Sequence, residues 1–68
     1  MKYSILIQYD ANDNIYVASV PELSGCIAHG ATQEKAIKEI NTALDLWLES
    51  AKELGISIPE PLMYSYEV

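Results

Sequence analysis

The sequence predicts an α+β fold: a two-layer sandwich in the order β-β-β-α-β, with one long helix on one face of an antiparallel sheet. Three observations carry that expectation. Residues 3–9 and 15–20 alternate with period two around a cluster of turn formers. Residues 37–54 carry apolar side chains at steps of three and four, bracketed by Thr32 and Gly55. The 68 residues suffice for one domain and no more.

The first strand is read from Tyr3-Ser-Ile-Leu-Ile-Gln-Tyr9, with Tyr3, Ile5, Ile7 and Tyr9 on one face and Ser4, Leu6 and Gln8 on the other. Asp10-Ala-Asn-Asp-Asn14 is the turn, because Asn and Asp hydrogen-bond their own backbone and tolerate left-handed geometry. Ile15 to Val20 is the second strand, so the pair forms an antiparallel hairpin. Pro21 cannot donate to a ladder and ends that strand. Gly25 closes an excursion over Pro21–Ser24, and Cys26-Ile-Ala-His29 is a short third strand. Gly30 then frees the backbone to turn into the helix.

Thr32 is the expected N-cap, its hydroxyl accepting from a first-turn amide. Glu34 in the first turn suits the helix dipole. The capping box is incomplete, since its third position is Lys35. Ile37, Ile40, Leu44, Trp47, Ala51 and Leu54 form the apolar stripe, and Gly55 supplies the stop. Leu48 widens the stripe. Leu46 lies off it, which suggests a second packing partner. Ile56-Ser-Ile-Pro-Glu-Pro61 reads as extended chain. Leu62–Val68 reads as a last strand, with Leu62, Tyr64 and Tyr66 sharing a face. One helix leaves the second sheet face open, and Leu6, Tyr16, Ala18 and Val20 are its candidates.

Composition narrows the function classes. A chain this short buries only roughly 60% of its unfolded surface. Such domains need a staple: disulfides, a metal or a partner subunit. Cys26 is the sole cysteine and His29 the sole histidine, so neither an internal disulfide nor a structural zinc set is available. A partner remains, and a homo-oligomer (dimer or tetramer) or completion by another protein is expected. Ten acids oppose four lysines, with no arginine, for a net charge of −6. Clustered cations are what nucleic acid binding requires, so direct binding is not expected. The charge suits a basic partner, or serves only solubility. No stretch approaches the roughly 20 apolar residues that span a bilayer. The start lacks the apolar core of a signal peptide, and a free cysteine suits a reducing cytoplasm.

No residue set calls for catalysis, a cofactor or a metal. His29 could act as a base, but on a strand Cys26 three residues away faces the opposite side. Cys26 has no nearby cation to lower its pKa and reads as a small buried hydrophobe. Asp10 and Asp13 share a turn that begins like a calcium loop but lacks its glycine and terminal glutamate. Trp47 lies on the helix stripe, which makes it a core residue and not a nucleobase platform.

The start Met1-Lys2-Tyr3, the run Tyr16-Val-Ala-Ser-Val-Pro-Glu-Leu-Ser-Gly-Cys26 and Ala28-His29-Gly30-Ala31-Thr32 resemble the HicB-like antitoxins. Leu46-Trp47-Leu48-Glu49 and Ile58-Pro59-Glu60-Pro61 complete the resemblance, which covers residues 1 to about 61. It implies a partial, inactive relative of the ribonuclease H fold. It also implies a type II antitoxin that occludes HicA, a small basic toxin that cleaves mRNA. An acidic protein suits that work, because it competes with RNA for a cationic face. Many members carry a C-terminal DNA-binding domain. Here a single HicB-like domain over 1–68 is expected, so operator binding is not carried over. An active ribonuclease H-like enzyme would need three or four clustered carboxylates holding Mg²⁺. Residues 3–9 and 15–20 contain no acid. The expected toxin contacts are Asp10, Asp13 and Glu22, with His29 nearby. Leu46, Tyr64 and Tyr66 are the expected oligomer contacts. The alternative is a solitary homo-oligomeric domain of this family, without a toxin.

Overall fold

Three antiparallel strands are followed by one long helix in the computed structural model, which describes residues 2–64. Strand β1 spans Leu6–Asp10, β2 Ile15–Ser19 and β3 Ile27–Gly30, in the spatial order β1-β2-β3. The α+β expectation holds. Leu62–Tyr64, the start of the expected last strand, lie in no strand, and residues 65–68 fall outside the described part. Observed boundaries move by a few residues. The most telling shift is at β1, which ends on Asp10, so one strand does carry an acid.

The β1–β2 turn forms as its chemistry requires. Asp10 Oδ1 accepts from the backbone N–H of Asn12 at 3.0 Å and of Asp13 at 3.4 Å. Asn14 supplies the left-handed residue, with φ 54°. Beyond β2, the Pro21–Gly25 excursion closes on itself. Leu23 N–H donates to Val20 O, and Val20 N–H to Cys26 O, each at 3.0 Å. That fold-back buries Leu23, a core residue the turn-rich sequence around it conceals.

Helix α1 spans Gln33–Leu54, with both ends where local chemistry puts them. Thr32 Oγ1 accepts from Lys35 N–H at 3.2 Å. At the other end Gly55 is left-handed. Its N–H donates to Lys52 O at 3.3 Å, and Ile56 N–H to Ala51 O at 2.9 Å, which is a Schellman cap.

Which side of the helix meets the sheet differs from the expected stripe. Ala36, Ile40, Leu44 and Ala51 are buried, while Ile37 is 40% exposed and Leu54 73% exposed. The reason lies at Gly30. A Cβ built on Gly30 would meet Ala36 N and lie 2.6 Å from Lys35 C, so helix backbone runs directly over β3. Only a small side chain fits under such an approach, and the helix turns Ala36 inward in place of Ile37. Ile40 and Leu44, four and eight residues on, follow it into the core with Ala18, Val20, Leu23 and Cys26.

The sheet faces are likewise reassigned. Tyr16, Ala18 and Val20 belong to the core or pack against it, not to the open face. Of the four residues assigned to the open face, Leu6 alone lies there. Two contacts then anchor the chain after the helix. Tyr3 Oη donates to Pro59 O at 2.6 Å, and Leu62 N–H donates to Glu22 Oε2 at 2.9 Å.

Candidate partner-binding surface

Register and alternation define the sheet face that the helix leaves uncovered. Leu6 pairs with Ser19, and Ser19 with Ile27, in one row across the sheet. Gln8, Val17 and His29 form the next row. Asp10 and Ile15 form a third, beside the hairpin turn. Leu6 and Ile27 flank Ser19 in the first row, and Val17 lies diagonal to both in the second, about 7–8 Å away, so the three make an apolar centre interrupted by Ser19. Leu6 is 46% exposed and Ile27 55% exposed. None of the four lysines lies in a strand, since three are on α1 and Lys2 precedes β1. The face therefore runs from an apolar centre to an acidic rim at Asp10 and Asp13.

The four expected contact residues part company here. His29 is exposed on the open face, beside Val17. Asp10 sits at the end of β1, its Oδ1 held by the turn, and Asp13 is exposed in the turn itself. Glu22 has another role. Its carboxylate accepts from Ser4 N–H at 3.0 and 3.2 Å, from Ser4 Oγ at 3.0 Å and from Leu62 N–H. Partial burial pushes its pKa up, but the N–H groups of Leu62, Ser4 and Glu22 itself, with the Ser4 hydroxyl, outweigh that. The carboxyl is held below the ordinary glutamate value. Glu22 is thus an internal clamp in this structure.

Cys26 is buried among apolar side chains, and desolvation raises its thiol pKa. A protonated thiol is a poor nucleophile. Among the described residues, no group of three or more His, Cys, Asp or Glu could hold a metal ion. No helix among them is long and apolar enough to cross a membrane.

Of the expected oligomer contacts, Leu46 is 59% exposed and Tyr64 lies on the surface, while Tyr66 falls outside the described residues. Leu46 borders an apolar groove of about 380 Å³ between α1 and the Gly25–Cys26 loop, which Leu54 and Ile56 extend. Trp47 forms part of its wall and is fixed there by donating from Nε1 to Ser24 O at 3.0 Å. Sequence reasoning missed Ile27, Leu54 and Ile56 as exposed apolar residues, and the half-buried Val17 on the open face. Alternation placed Leu6, but which face the helix covers is decided by the approach at Gly30.

A three-stranded antiparallel sheet carrying one long helix on one face defines a small two-layer α+β domain. The chain matches the family model of the HicB-like antitoxin of bacterial toxin–antitoxin systems over residues 3–66, and it belongs to that family. It is 39% identical to the UPF0150 protein ssl0259 of Synechocystis sp. over 59 residues, 87% of this chain and 80% of that one. It is also 39% identical to the UPF0150 protein Ta0767 of Thermoplasma acidophilum, over 87% of this chain and 84% of that one. A UPF0150 protein of Archaeoglobus fulgidus is 33% identical, over 79% and 77% respectively.

Proposed function

We infer that this chain is the neutralising half of a toxin–antitoxin pair and acts by occlusion, not as an enzyme. The partner is a small basic RNA-cleaving toxin of the HicA type, met in the cytoplasm. Family membership supports a toxin–antitoxin role in general. The observation that favours this mode of action is the open sheet face: an apolar centre of Leu6, Val17 and Ile27 beside an acidic, lysine-free rim. Apolar burial supplies affinity, and the carboxylates of Asp10 and Asp13 meet the cations that would otherwise hold RNA phosphates. His29 and Gln8 supply polar contacts within the same rows.

Affinity capture from the native lysate, followed by mass determination and an RNA-degradation assay, tests this reading. The expected result is a stoichiometric small basic protein that is released by high salt and degrades RNA once freed. Asp10→Lys with Asp13→Lys should then weaken the complex and flatten its salt dependence, because fewer ion pairs remain to be screened. Recovery of this chain alone would overturn the reading in favour of a solitary homo-oligomeric domain, which the exposed Leu46, Leu54 and Ile56 favour.

A further inference from the structure

Tyr9 lies on the sheet face that α1 covers, but at the margin of the helix. Its row across the sheet is Tyr9, Tyr16 and Gly30. The helix backbone crosses at Gly30, on β3, and Tyr16, on β2, packs against the core. Tyr9, on the edge strand β1, stays 55% exposed. Its ring is nevertheless held at two points. It meets Tyr16 edge to face, with centroids 5.2 Å apart and planes at 63°. Its Oη donates to Asn14 Oδ1 at 2.9 Å. Tyr16 takes up at most one face of the ring, and the bond to Asn14 uses the hydroxyl proton. What remains for a partner is a fixed, exposed aromatic face, the negative side of the ring quadrupole. An aromatic side chain already locked in place loses little conformational freedom on binding.

The charges around that ring favour a cation. Asp10 follows Tyr9 directly, and Asp13 adjoins Asn14 in the same turn. No lysine lies in the hairpin: Lys2 stands before the other end of β1, and Lys35 is in the first turn of α1. The positive end of the helix dipole starts over β3, two strands and roughly 10 Å away. We propose that Tyr9 is an arginine-binding position, where the guanidinium of a basic partner stacks on the exposed ring face and the field of Asp10 and Asp13 draws it in. Arginine suits this place better than lysine. Its guanidinium is planar, weakly hydrated and stacks on aromatic rings, whereas an ammonium holds its water more strongly. The inference deepens the partner reading above and rests on it for the protein that carries the arginine. It adds a contact on the opposite side of the hairpin from Leu6, so the partner grips the hairpin end from two sides.

Two capped peptides of equal charge, with arginines or lysines alternating with glycine, test this in the full chain by NMR titration at low salt. Attraction by charge alone treats the two alike. The arginine peptide should bind about two- to fivefold tighter, the contribution of a cation–π contact at an exposed site. It should shift the amides of Tyr9, Asn14 and Tyr16, and its own side-chain methylene protons should move upfield, as they do over a ring face. Tyr9 Oη also steadies the left-handed Asn14, so ring and hydroxyl are removed separately. Tyr9→Phe keeps the ring and should keep the preference. Tyr9→Leu keeps the apolar bulk and should bind both peptides equally, with an unchanged circular dichroism spectrum. Equal binding by the wild-type chain, or no upfield movement, overturns the proposal. So does a preference that survives Tyr9→Leu. A preference abolished by Tyr9→Phe overturns it too and assigns Tyr9 to holding the turn. The partner reading fails separately. A ring-dependent arginine preference in a chain that captures no basic protein upholds Tyr9 and overturns the toxin. A basic toxin that Leu6→Lys with Ile27→Lys releases, and Tyr9→Leu does not, upholds the toxin and overturns the role of Tyr9.

Discussion

The carboxylate of Glu22 accepts a hydrogen bond from the backbone N–H of Leu62, 40 residues further along the chain. The same carboxylate holds Ser4, just before β1. One side chain in the β2–β3 connection thus joins both ends of the described chain to the domain. Tyr3 on Pro59 makes a second link between the same two segments. The segment after the helix contributes no strand among the described residues, and these bonds help to attach it.

That clamp is charged, and it has a pH signature. The folded-state pKa of Glu22 lies below its ordinary value, so its contribution is fully present above the unfolded pKa of about 4.3. It is lost as pH falls through the lower folded value. Glu22→Gln should therefore lower the Tm at neutral pH and flatten the decline of Tm on the acid side. Thermal melts of both proteins between neutral and acid pH check this. An equally steep acid decline in both would show that other carboxylates account for it.

Of the three glycines, Gly30 is the one where a Cβ finds no room. A Cβ there runs into the Lys35–Ala36 backbone, which cannot move without shifting the whole helix. Gly30→Ala should cost about 1–3 kcal/mol by overpacking. Gly25→Ala and Gly55→Ala meet no atom within 4 Å but leave a side chain at φ 79° and 69°. Each should cost about 1–2 kcal/mol from backbone strain alone. Denaturant titration separates the cases, because the Gly30 variant should also disturb near-UV signals from Trp47, which packs on the same core.

The rotation of α1 is testable with a pair of isoleucines three residues apart. Ile40→Ala should cost about 2–5 kcal/mol, since its side chain is fully buried. Ile37→Ala should cost well under half of that, since Ile37 is 40% exposed. Equal losses in chemical unfolding would mean that the stripe is centred as its spacing first suggested.

The open sheet face separates binding from folding. Leu6→Lys with Ile27→Lys alters two half-exposed residues across Ser19 and should change stability by less than about 1 kcal/mol. Partner capture should fall by at least tenfold through lost apolar burial and a charge placed against a basic surface. Retained capture with a native Tm would place the contact on another face.

The elements that sequence alone determined are those whose causes are local. Thr32 and Gly55 bound the helix because capping is a bond between neighbours in the chain, and both caps are formed as read. The Asp10–Asn14 turn follows from side chains that bond their own backbone. The family was legible in the Tyr16–Cys26 run, and the match over residues 3–66 agrees. Tertiary structure decided which face of each element is inside. Periodicity states that a strand has two faces and a helix one stripe. It does not say which strand face the helix covers, or where the centre of the stripe falls. Those were settled by the close approach of α1 to Gly30, which drew Ala36 inward, left Ile37 outside, and put Tyr16, Ala18 and Val20 toward the core. Glu22 was expected to contact the toxin, and nothing near it in the chain announces its bonds, because their partners, Ser4 and Leu62, lie 18 and 40 residues away. Long-range contacts of that kind are created by packing, and a single side chain in a turn carries no local signal of them.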